Sequence, residues 1–146
     1  SENYITLEDD ERKAIIDRFQ KIGFDIVYEF GRKAPTEPMK LDELGAVIHS
    51  VAQCGIDHVI VEQSEIDMLA DSSPTGLTDL REQNWFDRIV IEADPYRFPT
   101  QHVELISTFG SDVNLCNIAP GQVLRLEGFR QGIGRAVGYN IMDGLI

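Results

Sequence analysis

Cysteine is scarce: Cys54 and Cys116 are the only two in 146 residues and show no C-x-x-C spacing, which excludes a dense disulfide framework and a thiolate zinc site. Both read as reduced core thiols. The three histidines, His49, His58 and His102, share no spacing that would gather a metal; they read as a helix residue, a strand start and a helix-start residue. No apolar run reaches the ~18 to 20 residues of a membrane span, and Ser1-Glu2-Asn3 brings no basic stretch ahead of an apolar one. A cytoplasmic location without a membrane partner is expected. Basic charge is also short, since 13 Lys and Arg face 25 Asp and Glu, for a net charge of -12 and a pI near 4.5. Nucleic acid is excluded as a partner because phosphate needs a basic face. An anionic ligand needs local help from a divalent cation or a few focused Lys and Arg. Low-complexity tracts are missing as well, which leaves one domain over residues 1–146.

What the chain does have is a repeated strand ending. Asp25-Ile26-Val27-Tyr28-Glu29, His58-Val59-Ile60-Val61-Glu62 and Arg88-Ile89-Val90-Ile91-Glu92 are apolar, β-branched runs that each stop at a glutamate. The glutamates are 33 and 30 residues apart, about one βα unit each. A lone glutamate after a strand is commonly a solvated loop residue. Three in register predict carboxylates side by side on the carboxyl rim of a parallel sheet, where ligands and metals bind.

Thr6 is placed to cap a helix through the acidic turn Glu8-Asp9-Asp10-Glu11, with Ala14, Ile15, Phe19 and Ile22 at helical spacing before Gly23. A strand over 24–30, a helix near 40–54, the strand 58–62 and a long connection from Gln63 to Thr75 follow. Then come a helix over 76–87, a strand over 89–93, a helix near 99–109, a last strand Val113–Asn117 and a final helix after Pro120-Gly121. This is a helix followed by four βα units, an α/β chain with parallel strands. Two architectures accept it: a small open doubly wound sheet using its acidic rim for magnesium and phosphoryl chemistry, or half of a (β/α)8 barrel, which is complete at about 250 residues. Trp85-Phe86 reads as core packing.

Glu29-Phe30-Gly31-Arg32-Lys33, Val59-Ile60-Val61-Glu62, Ile91-Glu92-Ala93, Gln101 and Val113-Asn114-Leu115-Cys116-Asn117-Ile118-Ala119-Pro120, with Leu126-Glu127 and Arg130-x-Gly132, resemble the phosphosulfolactate synthase family in colinear order. The resemblance implies a TIM-type (β/α)8-barrel lyase that adds sulfite to phosphoenolpyruvate with magnesium, on the route to coenzyme M. It aligns the strands here with the fifth to eighth of that barrel, so the amino-terminal half is absent from this sequence. A homo-oligomer or a second chain supplying the missing half-barrel is the expected partner. The chain also departs from the family pattern. Arg32 stands where a lysine is usual, Gln63-Ser64-Glu65 follows Glu62 where the family carries an Ala-Arg-Glu setting, and Cys116 replaces glycine. The alternative is therefore a diverged barrel that binds a phosphorylated or sulfonated small molecule, or a structural subunit, without that activity.

Sulfite addition builds negative charge on the carboxylate side of the enol phosphate, and magnesium bound by one or two carboxylates answers that charge. Spacing alone does not separate the three glutamates; Glu62 and Glu92 are assigned to the metal and Glu29, with Lys33, to catalysis. Lys33 follows a glycine at a strand end and is the candidate proton donor to C2. Arg32 offers a planar fork to a phosphate or sulfite oxygen, or pairs with Glu37 at the surface. Asn114, Asn117 and Gln101 complete the substrate-binding set. Asn114 and Cys116 share one face of the last strand, and Leu115 and Asn117 the other. Pro120-Gly121 opens a helix whose N–H groups suit phosphate.

Overall fold

Carboxylates of Asp9, Asp10 and Glu11 face the positive end of the first helix, α1 (Asp9–Lys21). The computed structural model describes residues 7–134, so the cap expected at Thr6 lies outside the described residues. Glu8 stands at the helix entry instead, its N–H donating to the Glu11 carboxylate at 3.2 Å.

The β-branched runs become four parallel strands, β1 (Tyr28–Phe30), β2 (Val59–Val61), β3 (Ile89–Glu92) and β4 (Leu115–Cys116). Their order in the sheet is β1-β2-β3-β4. A doubly wound sheet reverses direction at a switch point, and no such reversal occurs among the described strands. Register is fixed by the pairs Phe30↔Val61, Val61↔Ile91 and Glu92↔Cys116. Val59, Val61, Ile89 and Ile91 are at most 2% exposed and form the helix-covered face. Ile60 and Val90 point the other way and are only half-buried.

The connections are α2 (Leu41–Ala52), α3 (Gln63–Ser72), α4 (Gly76–Arg81), α5 (Thr100–Phe109) and α6 (Val123–Arg130). Leu44, Ile48 and Val51 bury one stripe of α2 at helical spacing. The segment read as a long connection from Gln63 is in fact α3. No glycine or proline interrupts it, Ile66 and Leu69 bury its inner side, and Ser73-Pro74 marks its end. The helix expected over 76–87 is cut short at Arg81, and Phe86–Arg88 form a 3-10 turn. Packing wins over propensity there: Phe86 stacks on Phe109 at 5.3 Å, and Trp85 lies so close to α2 that a Cβ on Gly45 would come within 2.8 Å of its Nε1. Strands are shorter than the apolar runs: of residues 24–30 only Tyr28–Phe30 are strand, and of the last run only Leu115–Cys116, although the Asn114 carbonyl still accepts the Ile91 N–H at 2.9 Å. Arg130 ties α6 to the entry of β4 by donating to the carbonyls of Ser111 and Val113. Among the described residues no helix is long and apolar enough to cross a membrane.

Ile91, with no exposed surface at the centre of the sheet, tests this core. Ile91→Ala is expected to cost ~2–5 kcal/mol by lost burial and a residual cavity, read as a lowered urea midpoint. A change below ~1 kcal/mol would mean that the face is not sealed.

Candidate functional site

Parallel register and period-two alternation together decide where the strand-end acids point. Val61 pairs with Phe30 and with Ile91, so the next residue along β2, Glu62, lies level with Gly31 and Glu92. Glu29 is two residues before Gly31 and shares its side of the strand. All three glutamates therefore leave the sheet on the face opposite the helix-covered core. The structure brings them together, for the carboxyl groups of Glu92 and Glu29 both lie close enough to that of Glu62 to raise its pKa.

Glu62 is the centre of this cluster and is only 4% exposed. Burial first, then the two neighbouring carboxylates, push its pKa up from 4.5 to about 7. Near neutrality the cluster shares a proton or accepts a cation. Lys33 brings one positive charge: its Nζ lies 4.0 Å from Glu62 Oε1, although its side chain is 68% exposed. Asn117, in the left-handed region at φ 59°, donates its side-chain amide to Glu92 Oε1 at 3.3 Å. Lys33, Glu62, Glu92, Asn117 and Asp94 line one hollow of about 260 Å³.

Other predicted residues fall elsewhere. Arg32 lies in a separate hollow of about 500 Å³, beside Glu29, Arg12, Glu37 and Lys40. Gln101 is buried, and its Oε1 accepts the N–H of Asp94 at 2.8 Å, so it shapes the loop after β3. Asn114 is not brought to the rim, because its amide donates to the carbonyls of Asp87 and Ile89 at the amino end of β3. Pro120–Gln122 form a 3-10 turn whose entry is closed by its own chain: Gln122 accepts the Ala119 N–H at 3.2 Å and donates to Pro95 O at 2.8 Å. Burial and then the neighbouring acids push the Cys116 thiol up to about 11, which keeps it protonated. His102 does not look into the site. It is fully buried edge-on against Phe98 at 4.9 Å, and burial lowers its pKa.

Sequence reasoning missed Glu65 and Ser64. Glu65 is 5% exposed and accepts the Arg32 N–H at 2.8 Å, while Ser64 Oγ donates to the Arg32 carbonyl at 2.5 Å. A helical reading of 63–72 would have found Glu65, which falls one turn from Glu62.

The donor set suits a hard cation. Among the described residues no three Asp, Glu, His or Cys side chains form a ready-made metal cage. Magnesium is held by one or two carboxylates with waters, and the mutual repulsion of Glu62 and Glu92 is what such a cation relieves.

Comparison with known proteins converges on one family. The family model described as (2R)-phospho-3-sulfolactate synthase (ComA) matches residues 1–135. The chain is 33% identical over 138 residues to the phosphosulfolactate synthase of Methanocaldococcus jannaschii, covering 88% of this chain and 53% of that protein. It is 28% identical over 142 residues to the phosphosulfolactate synthase of Methanothermobacter thermautotrophicus, covering 91% and 54%. The chain thus spans about half the length of the curated relatives it matches.

A raised carboxyl pKa has a stability signature. The folded protein holds the Glu62 proton more tightly than the unfolded chain does, so this contribution is full below about 4.5 and is lost as pH rises through about 7. In metal-free protein Glu62→Gln is expected to flatten the fall of the urea midpoint across that window. Equal slopes in the two proteins would refute the shared proton.

Proposed function

Because the chain belongs to the (2R)-phospho-3-sulfolactate synthase family, we propose that it supplies the fifth to eighth strands of a (β/α)8-barrel lyase that adds sulfite to phosphoenolpyruvate with magnesium. The observation that carries this reading is the convergence of Glu29, Glu62 and Glu92 beside Lys33 on one strand-end rim. The half-barrel is supported by the sheet itself. Its uncovered face carries Ile60 and Val90, and exposed apolar side chains gather before β1 (Ile22 65%, Phe24 59%, Val27 63%) and after β4 (Leu124 85%). In the proposal the other half of the barrel comes from residues outside this sequence or from another subunit, and covers those surfaces.

In the proposed reaction the sulfur lone pair of sulfite forms the C–S bond at C3. The C2–C3 π pair moves to C2 and its carboxylate. C2 then takes a proton from the Lys33 ammonium, and water restores the lysine. Magnesium, held by Glu62 and Glu92, would supply Lewis-acid stabilisation of the charge that develops on the carboxylate. Asn117 holds Glu92 in place for that role, and Gln101 fixes the Asp94 loop at the mouth of the hollow. Glu29 adds negative charge that keeps an ammonium at the rim. Arg32, in the neighbouring hollow, receives a phosphate or sulfite oxygen.

A second reading, a diverged barrel that binds an anion or serves as a structural subunit without this reaction, is favoured by Ser64. It stands where the family pattern has an arginine, and its hydroxyl is spent on the Arg32 carbonyl. Calorimetry separates the two, since magnesium-linked binding of phosphoenolpyruvate without turnover supports the second.

The complete protein, given sulfite, phosphoenolpyruvate and magnesium, is expected to yield phosphosulfolactate by mass spectrometry. Lys33→Met is expected to lower kcat by about 10²–10⁴ while KM changes little. Absence of product from folded parent protein, with this pair and with related enol phosphates, sinks the proposal.

A further inference from the structure

The β1–β2 ladder stops at Phe30↔Val61, yet its bonding pattern runs on past that point. Glu62 N–H donates to Phe30 O at 3.0 Å; then Arg32 N–H donates to Glu65 Oε1 at 2.8 Å, and Ser64 Oγ donates to Arg32 O at 2.5 Å. Two side chains from the first turn of α3 thus stand in for the acceptor and the donor of a neighbouring strand. Glu65 is only 5% exposed although it carries a carboxyl group, and this backbone contact gives that burial a purpose. The fit also needs Gly31. At φ +114° that residue is in a conformation natural to glycine, and a Cβ there would stand 2.5 Å from Glu65 Cγ and 3.0 Å from Glu62 Cβ.

We infer that Glu65, assisted by Ser64, is a positioning residue for Lys33, the two gripping the Arg32 backbone at its N–H and at its carbonyl so that the next residue leaves the rim towards Glu62. The lysine side chain is 68% exposed and 4.0 Å from that carboxylate, a contact too loose to hold it unaided. Direction must come from the backbone behind it. The same grip sends Arg32 and Lys33 into different hollows. Since only an oxygen acceptor is required at the Arg32 N–H, glutamine can replace glutamate and alanine cannot.

This role presupposes proton donation by Lys33, whereas amide exchange at Arg32 reads the grip without any turnover. In the complete protein Glu65→Ala is expected to speed Arg32 amide exchange about tenfold or more and to lower kcat about tenfold, with KM for both substrates within about twofold. Glu65→Gln is expected to keep both readouts within about threefold of the parent. Ser64→Ala removes one half-buried hydroxyl, and is expected to shift both readouts in the same direction by less; it carries the test if Glu65→Ala does not fold. The inference is overturned if Arg32 exchange does not respond to Glu65→Ala, or, where that variant does not fold, to Ser64→Ala. Unchanged kcat in an active enzyme, or Glu65→Gln losing as much as Glu65→Ala, overturns it equally. A parent without turnover overturns the proposed reaction, and the exchange readout then decides the grip alone.

Discussion

Repulsion between carboxylates on adjacent parallel strands is the constraint around which this rim is organised. Neighbouring strands run about 4.8 Å apart, and Glu62 and Glu92 occupy the same row. Two full charges at that spacing would repel by ~3 kcal/mol at an effective dielectric constant near 20. A third carboxylate, from Glu29, joins the same group. Such a cluster persists only in company with a proton, a cation or an ammonium group. The other local features answer that need, with Asn117 donating to Glu92 and Lys33 placed beside Glu62.

The sheet keeps this electrostatic demand apart from stability by the two-residue alternation of its strands. Val59, Val61, Ile89 and Ile91 seal the helix side, and their even-numbered neighbours Ile60, Val90 and Glu92 face the other way. Slipping one strand by one residue would bury a glutamate against the helices and expose an isoleucine. Register is therefore under strong selection by energy alone. The carboxylates inherit their alignment from the apolar residues between them, with no contact of their own needed to set it.

Much of this was legible in the sequence because it rests on periodicity. The β-branched runs gave the strands, their spacing gave the parallel order, and the shared final glutamate gave the rim. Height along a strand was harder. Alternation placed Asn114 on the face of Cys116 but said nothing of its level, and its amide is used two residues below the rim on Asp87 and Ile89. Helix α3 was hidden because Ser64, Asp67, Ser72 and Ser73 resemble loop composition, while burial of Ile66 and Leu69 overrides that local preference. Extension of α4 to residue 87 failed for the converse reason, since Trp85 and Phe86 gain more from packing against α2 and α5 than from another helical turn.

The immediate start of α3 after Glu62 has a consequence for chemistry. Glu62 N–H is bound to Phe30 O, and Glu62 O accepts from Glu65 N–H at 3.1 Å and from Ile66 N–H at 3.5 Å. Its backbone is held by a strand on one side and a helix on the other. A carboxylate on a free loop would swing into water and dissolve the repulsion by moving. Glu62 is held at both backbone polar groups, and the residue is only 4% exposed beside its neighbours. The stress is left to be relieved by what binds, so occupancy of the rim by a proton, a cation or an ammonium group sets its charge.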